Sequence, residues 1–221
     1  MKLSAYTVAL LKNCADINNS ILIRSGKTLK TMSVTKNTLL RVDITEEFDR
    51  DVAIYDLPQF LNCLSLVDNP EILLKEDYID ITNGADSIQY RYSDPSVITA
   101  PPERELVLPS EDICLVLTDE VIQTVRKISK VLDIQDISII GDGEKITLTL
   151  SDKANSGKNS YKIEVGKADS KFKFNMKVGN LLLVAGDYDV VISKSNLAKF
   201  TNHSNPAVYF VALEPDSVFE G

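Results

Sequence analysis

An internal repeat relates the two halves of the chain. The stretch LSAYTVALLKNCADINNSILI, which begins at Leu3, aligns with LTDEVIQTVRKISKVLDIQDISII, which begins at Leu117. In both stretches a Ser or Thr stands at the position of a helix N-cap, an amphipathic pattern follows, and an alternating apolar strand comes next. The residues in register, at an offset of 114, are Leu3 and Leu117, Ser4 and Thr118, Val8 and Ile122, Leu11 and Val125, and Lys12 and Arg126.

A second pair of segments repeats farther along the chain. DLPQFLNCLSL from Asp56 is similar to KVGNLLLVAGD from Lys177, and both have the apolar spacing of a short helix. The segments that follow, EILLKEDYIDITN and VVISKSNLAKFTN, then SIQYRYS and PAVYFVAL, stay parallel, so that Tyr90 aligns with Tyr209. Self-similarity of this kind predicts two copies of one structural unit.

Most of the remaining segments alternate apolar and polar residues, for example KTLKTMSV, KITLTLS and YKIEVGK. This pattern is typical of antiparallel strands with one solvent-facing side. The Pro-rich stretch at 93–112 cannot form a helix or a central strand over most of its length. We therefore predict an α+β chain of two similar domains, each with two helices packed on antiparallel sheet. The predicted boundaries are 1–100 for domain 1, 101–112 for a connector and 113–221 for domain 2.

The numbers and spacing of cysteines and histidines restrict which disulfides, metal sites and catalytic triads the chain can form. Cys14, Cys63 and Cys114 are odd in number and about 50 residues apart, which fits neither a disulfide framework nor a zinc site. We expect buried, reduced thiols. His203 is the only histidine, so we expect no metal site, no Ser-His-Asp triad and no cofactor.

No run approaches the roughly 18 apolar residues of a membrane span, and the N-terminus lacks the apolar core of a signal peptide. An intracellular protein without a membrane partner is expected.

One helix-sized window is purely basic in an acidic chain. Residues 121–132, VIQTVRKISKVL, carry three cations and no carboxylate, although the formal net charge is −8. On a helical wheel the apolar side chains cover one side, and Arg126, Lys127 and Lys130 cover the other. Lys12 lies on the exposed face of the matching helix, and Lys177 begins the last predicted helix. Such a surface can bind the phosphate backbone of a duplex without reading sequence. A solvated helix face that carries Lys and Arg is the alternative that this pattern leaves open.

Three stretches carry a resemblance to a known family. They are the opening MKLSAYTVALLKN, the segment DVAIYDLPQFLNCLSLV at 51–67, and GDYDVV with VYFVALEPDS between 186 and 217. They resemble the DNA polymerase sliding clamp, or processivity factor, of T4-type bacteriophages. The resemblance is strong over about 1–67 and 186–217 and loose from about 85 to 175.

The resemblance implies the clamp fold, with three protomers closed into a homotrimeric ring of six similar domains. Double-stranded DNA would pass through the centre, facing Lys12, Arg126, Lys127, Lys130 and Lys177. It also implies a polymerase whose C-terminal peptide docks in an apolar pocket, a clamp loader, late transcription factors, and the cytoplasm of an infected bacterial host cell. By position, the residues expected in the peptide pocket are Leu106, Leu108, Ala212 and Pro215.

Two other functions are weighed against this one. An enzyme would have to use the carboxylates of DITEEFDRD or the polar stretch SDKANSGKNS, and neither has the spacing of a general acid/base pair or a metal site. A non-ring nucleic-acid-binding adaptor would use a lysine series that lacks aromatic stacking platforms, and lysines on a solvated sheet edge explain that series as well. The series consists of Lys153, Lys158, Lys162, Lys167, Lys171 and Lys173.

Overall fold

The structure is a computed structural model that describes residues 1–155 and 157–220. The chain divides into two compact units, Met1–Arg104 and Glu105–Gly221, and the division falls inside the predicted connector 101–112. Among the described residues, no helix is long and apolar enough to cross a membrane.

The two α-helices of the first unit begin at side chains that cap them. α1 spans Ala5–Ile17, and the Ser4 hydroxyl accepts a hydrogen bond from an amide of its first turn at 3.1 Å. α2 spans Leu57–Leu66, and the Asp56 carboxylate accepts from a first-turn amide at 2.8 Å. Pro58 lies in the first turn of α2, where the missing amide hydrogen removes no helical bond.

Antiparallel strands complete the first unit. They are β1 (Ile21–Ile23), β2 (Gly26–Met32), β3 (Thr38–Phe48), β4 (Val52–Ile54), β5 (Glu71–Leu74), β6 (Tyr78–Thr82) and β7 (Ser87–Arg91). β1 pairs with β4, β2 pairs with β3, and β6 lies between β5 and β7. The predicted period-two alternation appears in β3, where every second side chain from Thr38 to Ile44 is buried.

The described part of the second unit contains the helix α3 and nine strands. The elements are β8 (Ile113–Leu117), α3 (Asp119–Leu132), β9 (Asp136–Asp142), β10 (Lys145–Leu150), β11 (Tyr161–Lys167), β12 (Lys171–Lys177), β13 (Tyr188–Ser193), β14 (Leu197–Asn202), β15 (Val208–Ala212) and β16 (Val218–Phe219). One sheet has the order β11-β10-β9-β12-β16, and β15-β14-β13-β8 are consecutive neighbours in another. All of these pairings are antiparallel.

Apart from α2, the elements from α1 to β7 have counterparts in the same order in the second unit, and their strand pairings recur there. α1 corresponds to α3, the β1–β4 pair to β9–β12, β2–β3 to β10–β11, and β5-β6-β7 to β13-β14-β15. The aligned Tyr90 and Tyr209 are both buried. The Tyr90 hydroxyl donates to the Asp56 carbonyl at 2.9 Å, and the Tyr209 hydroxyl accepts from the Val184 amide at 3.1 Å. The predicted α+β class and the duplication are confirmed.

The second helix predicted for the second domain is wrong. The window from Lys177 forms only a 3-10 turn, Val178–Asn180. Lys177 stands at the cap position but makes no capping bond, because an ammonium group cannot accept one, whereas Asp56 caps α2. Gly179 also disfavours a helix. Within its described residues, the second domain therefore has one α-helix and one 3-10 turn instead of two helices.

The expectation of buried thiols holds for Cys14 but not for the other two cysteines. Cys14 is buried and Cys63 is partly exposed, but Cys114 is exposed. Residue 114 lies on β8, whose buried side chains alternate with exposed ones, and it falls on the exposed side. All three thiols are free.

Glu46 on β3 holds the N-terminus of α1. Its carboxylate accepts hydrogen bonds from the Ser4 amide and from the Thr7 hydroxyl, the latter at 2.6 Å. Partial burial raises the pKa of Glu46, but the hydrogen bonds from Thr7 and Ser4 outweigh it and lower the pKa from 4.5 to about 2. The ionised carboxylate therefore stabilises the folded state.

Replacing Glu46 with Gln is expected to lower the free energy of unfolding by about 1–2 kcal/mol at pH 7. Because the folded pKa is depressed, the contribution is complete above about pH 4.5 and is lost as pH falls toward about 2. Urea denaturation of the wild type and E46Q should therefore differ clearly at pH 7 and much less at pH 3. The neighbouring exposed E47Q serves as the control. A difference between wild type and E46Q that does not change with pH would contradict this role.

Candidate nucleic-acid interface

α3 presents a cationic face to solvent. Ile122 and Val125 are buried, whereas Lys127 and Lys130 are exposed. Neither lysine forms an ion pair with any residue that the structure describes. Acidic residues occupy the first turn of the helix and Lys130 the last, which is the order that the helix dipole favours. Two unpaired positive charges are thus available to a ligand on this face.

Arg126 has a structural contact in addition to its charge. Its Nη2 donates to the Leu181 carbonyl at 2.6 Å and to the Leu183 carbonyl at 2.8 Å. These carbonyls belong to the segment that follows the 3-10 turn, so the guanidinium ties α3 to that segment. Its role in facing DNA stays a prediction.

Lys177 ends β12 and stands beside the same helix. Its ammonium forms an ion pair with Asp136 at 2.5 Å, and this hydrogen bond raises the pKa of Lys177. Arg126, Lys130 and Lys177 line one cleft of about 490 Å³, together with two polar residues, Ser129 and Gln135, and apolar residues of the 3-10 segment. The structure therefore brings together three of the five predicted DNA-facing cations, with one of them already paired to a carboxylate.

Lys12 lies on α1 in the first unit. It is exposed and has no ion pair with a residue in the described part of the chain. Asp16, one turn farther along, is exposed as well. The exposed face of α1 thus carries one cation and one carboxylate, and it is far less basic than the face of α3.

The residues predicted for the peptide pocket lie on two segments of the second unit. Leu106 and Leu108 belong to the irregular segment before β8, and Leu106 is 39% exposed. Ala212 ends β15 opposite Leu197, and Pro215 lies in the turn that follows. The pocket stays a prediction.

Two family models together match nearly the whole chain. The model described as DNA polymerase processivity factor matches residues 2–100. The model described as gp45 sliding clamp, C terminal, matches residues 115–215. The chain belongs to the phage sliding-clamp family.

Sliding clamps of three phages are similar over their full length. The sliding clamp of Vibrio phage KVP40 is 33% identical over 222 residues, which is 97% of this chain and 99% of the relative. The sliding clamp of Enterobacteria phage T4 is 34% identical over 231 residues and covers 100% of both chains. That of Escherichia phage RB69 is 32% identical over 230 residues, again with 100% of both chains covered.

Solved sliding clamps from cellular organisms have the same fold. PCNA from A. fulgidus, bound to the C-terminal region of FEN-1, superposes with a TM-score of 0.68 at 14% identity over 96% of each chain. The DNA polymerase III subunit beta sliding clamp from Bartonella birtlesii superposes with a TM-score of 0.70 at 14% identity, over 97% of this chain and 64% of that one. The predicted clamp fold is confirmed.

Sequence reasoning misses two polar residues of the cationic cleft. Ser129 lies three residues after Arg126, so helical spacing could have placed it on the same face of this sliding clamp's helix. Gln135 lies beyond Asp133, which adopts a left-handed conformation with φ of 51°. The direction of the chain after such a residue depends on the turn itself, so no spacing rule predicts the position of Gln135.

The R126A and K127A variants of this sliding clamp are expected to differ in stability. R126A loses two hydrogen bonds from a charged donor and should lower the free energy of unfolding by about 2 kcal/mol. K127A removes one exposed charge and should change it by less than about 0.5 kcal/mol. Chemical denaturation measures both variants. Equal stability of the two variants would show that the Arg126 contacts contribute nothing.

Proposed function

We propose that this protein is a homotrimeric ring that encircles duplex DNA and tethers the replicative polymerase in phage DNA replication. Membership in the sliding-clamp family supports the proposal. The observation that carries it is the exposure of Lys127 and Lys130 on α3, which have no ion pair among the described residues and lie opposite the buried Ile122 and Val125. In a chain of net charge −8, such a face concentrates the attraction for phosphate on one surface.

Lysine contacts suit a protein that moves along DNA. An ammonium group binds phosphate as a point charge and reads no base. Each specific base contact would add about 1–3 kcal/mol of discrimination, which a moving protein would have to overcome at every step. A closed ring stays on the duplex by topological linkage, so each phosphate contact can remain weak.

We assign β11 to one side of the contact between protomers. It is the outer strand of its sheet, and its apolar Tyr161, Ile163 and Val165 are partly exposed. An open strand edge with apolar side chains is a template for pairing with another chain. A ring of three requires a head-to-tail contact, so a different surface of the next protomer receives β11.

Retention on circular DNA tests this function. The protein is loaded by the phage clamp loader onto a nicked plasmid or onto the same plasmid after linearisation, and gel filtration then separates bound from free protein. We expect co-elution with the circle, loss when the circle is cut, and a light-scattering mass near three chains. Equal retention on linear DNA, or a preference for single strands, would favour the non-ring adaptor instead.

The proposed partners use a second surface. We propose that a C-terminal peptide of the polymerase docks on Leu106, Leu108, Ala212 and Pro215. The complex of A. fulgidus PCNA with the C-terminal region of FEN-1 supports a chain terminus as the kind of ligand. We propose the clamp loader and late transcription factors as partners of the same face, and the cytoplasm of an infected bacterial host as the location.

A further inference from the structure

A polar cleft lies on one face of the sheet β11-β10-β9-β12-β16. Its volume is about 540 Å³. The residues that line it come from β10, β11 and β12, from the described part of the connection between β10 and β11, and from the turn before β16. None of the five predicted DNA-facing cations lines it. The lining residues that matter here are Thr149, Ser151, Ser160, Lys162, Lys173 and Asp216.

The lining has an excess of positive charge. Its described residues include four lysines and two aspartates. Lys153 forms an ion pair with Asp216 at 2.9 Å, and Lys158 forms one with Asp152 at 2.7 Å. The other two lysines, Lys162 on β11 and Lys173 on β12, are exposed and have no ion pair with a described residue. Both aspartates are therefore already neutralised, and two ammonium groups remain for a ligand.

Thr149 points into the cleft with an unused hydroxyl. In the strand register it lies opposite Lys162 on one side and Ser138 on the other, so all three side chains share one face of the sheet. Thr149 is only 8% exposed, and its Oγ1 has no hydrogen-bond partner among the described residues. The neighbouring Ser138 hydroxyl, by contrast, donates to the Asn175 side chain at 2.6 Å. A buried hydroxyl without a partner in the chain calls for one from outside it, and a water molecule or a bound ion can supply that partner.

We propose that this cleft is an oxyanion site that binds a phosphate group. Lys162 and Lys173 supply the charge, the Thr149 hydroxyl donates a hydrogen bond, and Ser151 and Ser160 offer further hydroxyl donors. Phosphate fits this set better than a carboxylate, because it has more acceptor oxygens to receive donors from several directions. No described residue of the lining is aromatic, so the site holds phosphate without a platform for stacking bases.

The site remains open when protomers join through β11. Strand pairing adds a neighbour in the plane of the sheet, at the edge of β11, and leaves the sheet face uncovered. The cleft is thus compatible with the proposed ring, although the oxyanion site does not depend on it.

Titration with inorganic phosphate and pyrophosphate tests the site, by calorimetry at low salt on the full chain. We expect saturable binding, a loss of affinity of about tenfold or more in K162Q/K173Q, and a loss of about threefold in T149V. The matched control K167Q/K171Q removes two lysines from the same two strands, outside the cleft, and should bind like the wild type. Thermal denaturation checks that every variant is folded.

Two results would overturn the proposal. One is the absence of saturable binding up to about 10 mM phosphate or pyrophosphate. The other is an equal loss of affinity in K162Q/K173Q and in the control K167Q/K171Q, which would mean that only overall charge matters. Retention on circular DNA is measured separately, so failure of this site leaves the ring function standing.

A further titration distinguishes the sources of the phosphate. A short single-stranded oligothymidylate offers backbone phosphates, and pyrophosphate offers free ones. If K162Q/K173Q weakens both and the oligonucleotide binds the wild type more tightly, the site takes the backbone of nucleic acid. If only the free anions respond to the substitution, the site takes a soluble phosphate compound. Both results support the same chemistry at the cleft.

Discussion

The K127Q/K130Q variant is expected to lose most of its affinity for duplex DNA while keeping its fold and its oligomeric state. Both side chains are exposed and unpaired among the described residues, so their removal disturbs no internal contact. The logarithm of the binding constant changes with the logarithm of salt concentration by about 0.9 per phosphate contact, and a trimer would lose up to about six such contacts. The salt slope should fall by up to about 5 and the affinity at low salt by about a thousandfold.

The matched control is again K167Q/K171Q, which makes the same change in net charge on a sheet instead of a helix. Anisotropy of a labelled duplex, measured from low to moderate salt, gives affinity and slope for both variants. We expect the control to behave as the wild type. If the control loses as much affinity as K127Q/K130Q, the lysine series of the adaptor hypothesis binds the DNA and the helix face does not.

Introducing a charge at the open edge of β11 is expected to separate the protomers. Ile163 lies opposite Leu148 on the buried side of the sheet and is partly exposed because β11 has no outer neighbour within its sheet. In I163K an ammonium group would have to be buried when another chain pairs with this edge. A cost of about 3 kcal/mol would weaken each association about a hundredfold. Light scattering at micromolar concentration should then give the mass of one chain.

T147K is the control for this experiment. Thr147 lies on the adjacent β10, opposite Glu164. Because successive side chains of a strand point to opposite faces, the Thr147 side chain lies on the other face of the sheet from the buried Leu148, and strand pairing at the edge does not cover that face. T147K should keep the mass of three chains. Should I163K also remain trimeric and retained on circular DNA, β11 does not form the contact between protomers.

Helices with strong local signals are the part of the fold that sequence predicts well. Ser4, Asp56 and Thr118 each stand one residue before a helix and cap it, as their side chains allow. The window from Lys177 has similar apolar spacing but no capping side chain, and it forms only a 3-10 turn. The repeat predicted a helix there because it compares residue types and takes no account of the cap.

The candidate nucleic-acid interface also has features that local sequence signals predict and a contact that they do not. Helical spacing predicts that Lys127 and Lys130 lie opposite Ile122 and Val125, and the structure has them so. No spacing rule predicts that the Arg126 guanidinium bonds two carbonyls more than fifty residues farther along the chain. That contact exists because the segment after the 3-10 turn leaves its carbonyls without helical partners.

The duplication, the α+β class and the faces of the helices could be inferred from the sequence, because each follows from the period of apolar residues or from comparison of the chain with itself. The polar cleft that we propose as an oxyanion site could not be inferred from the sequence. Thr149, Lys162 and Lys173 lie on three strands, and they share one face only because of the register in which those strands pair. Register is a property of the assembled sheet, and a shift of one residue would turn each side chain to the opposite face.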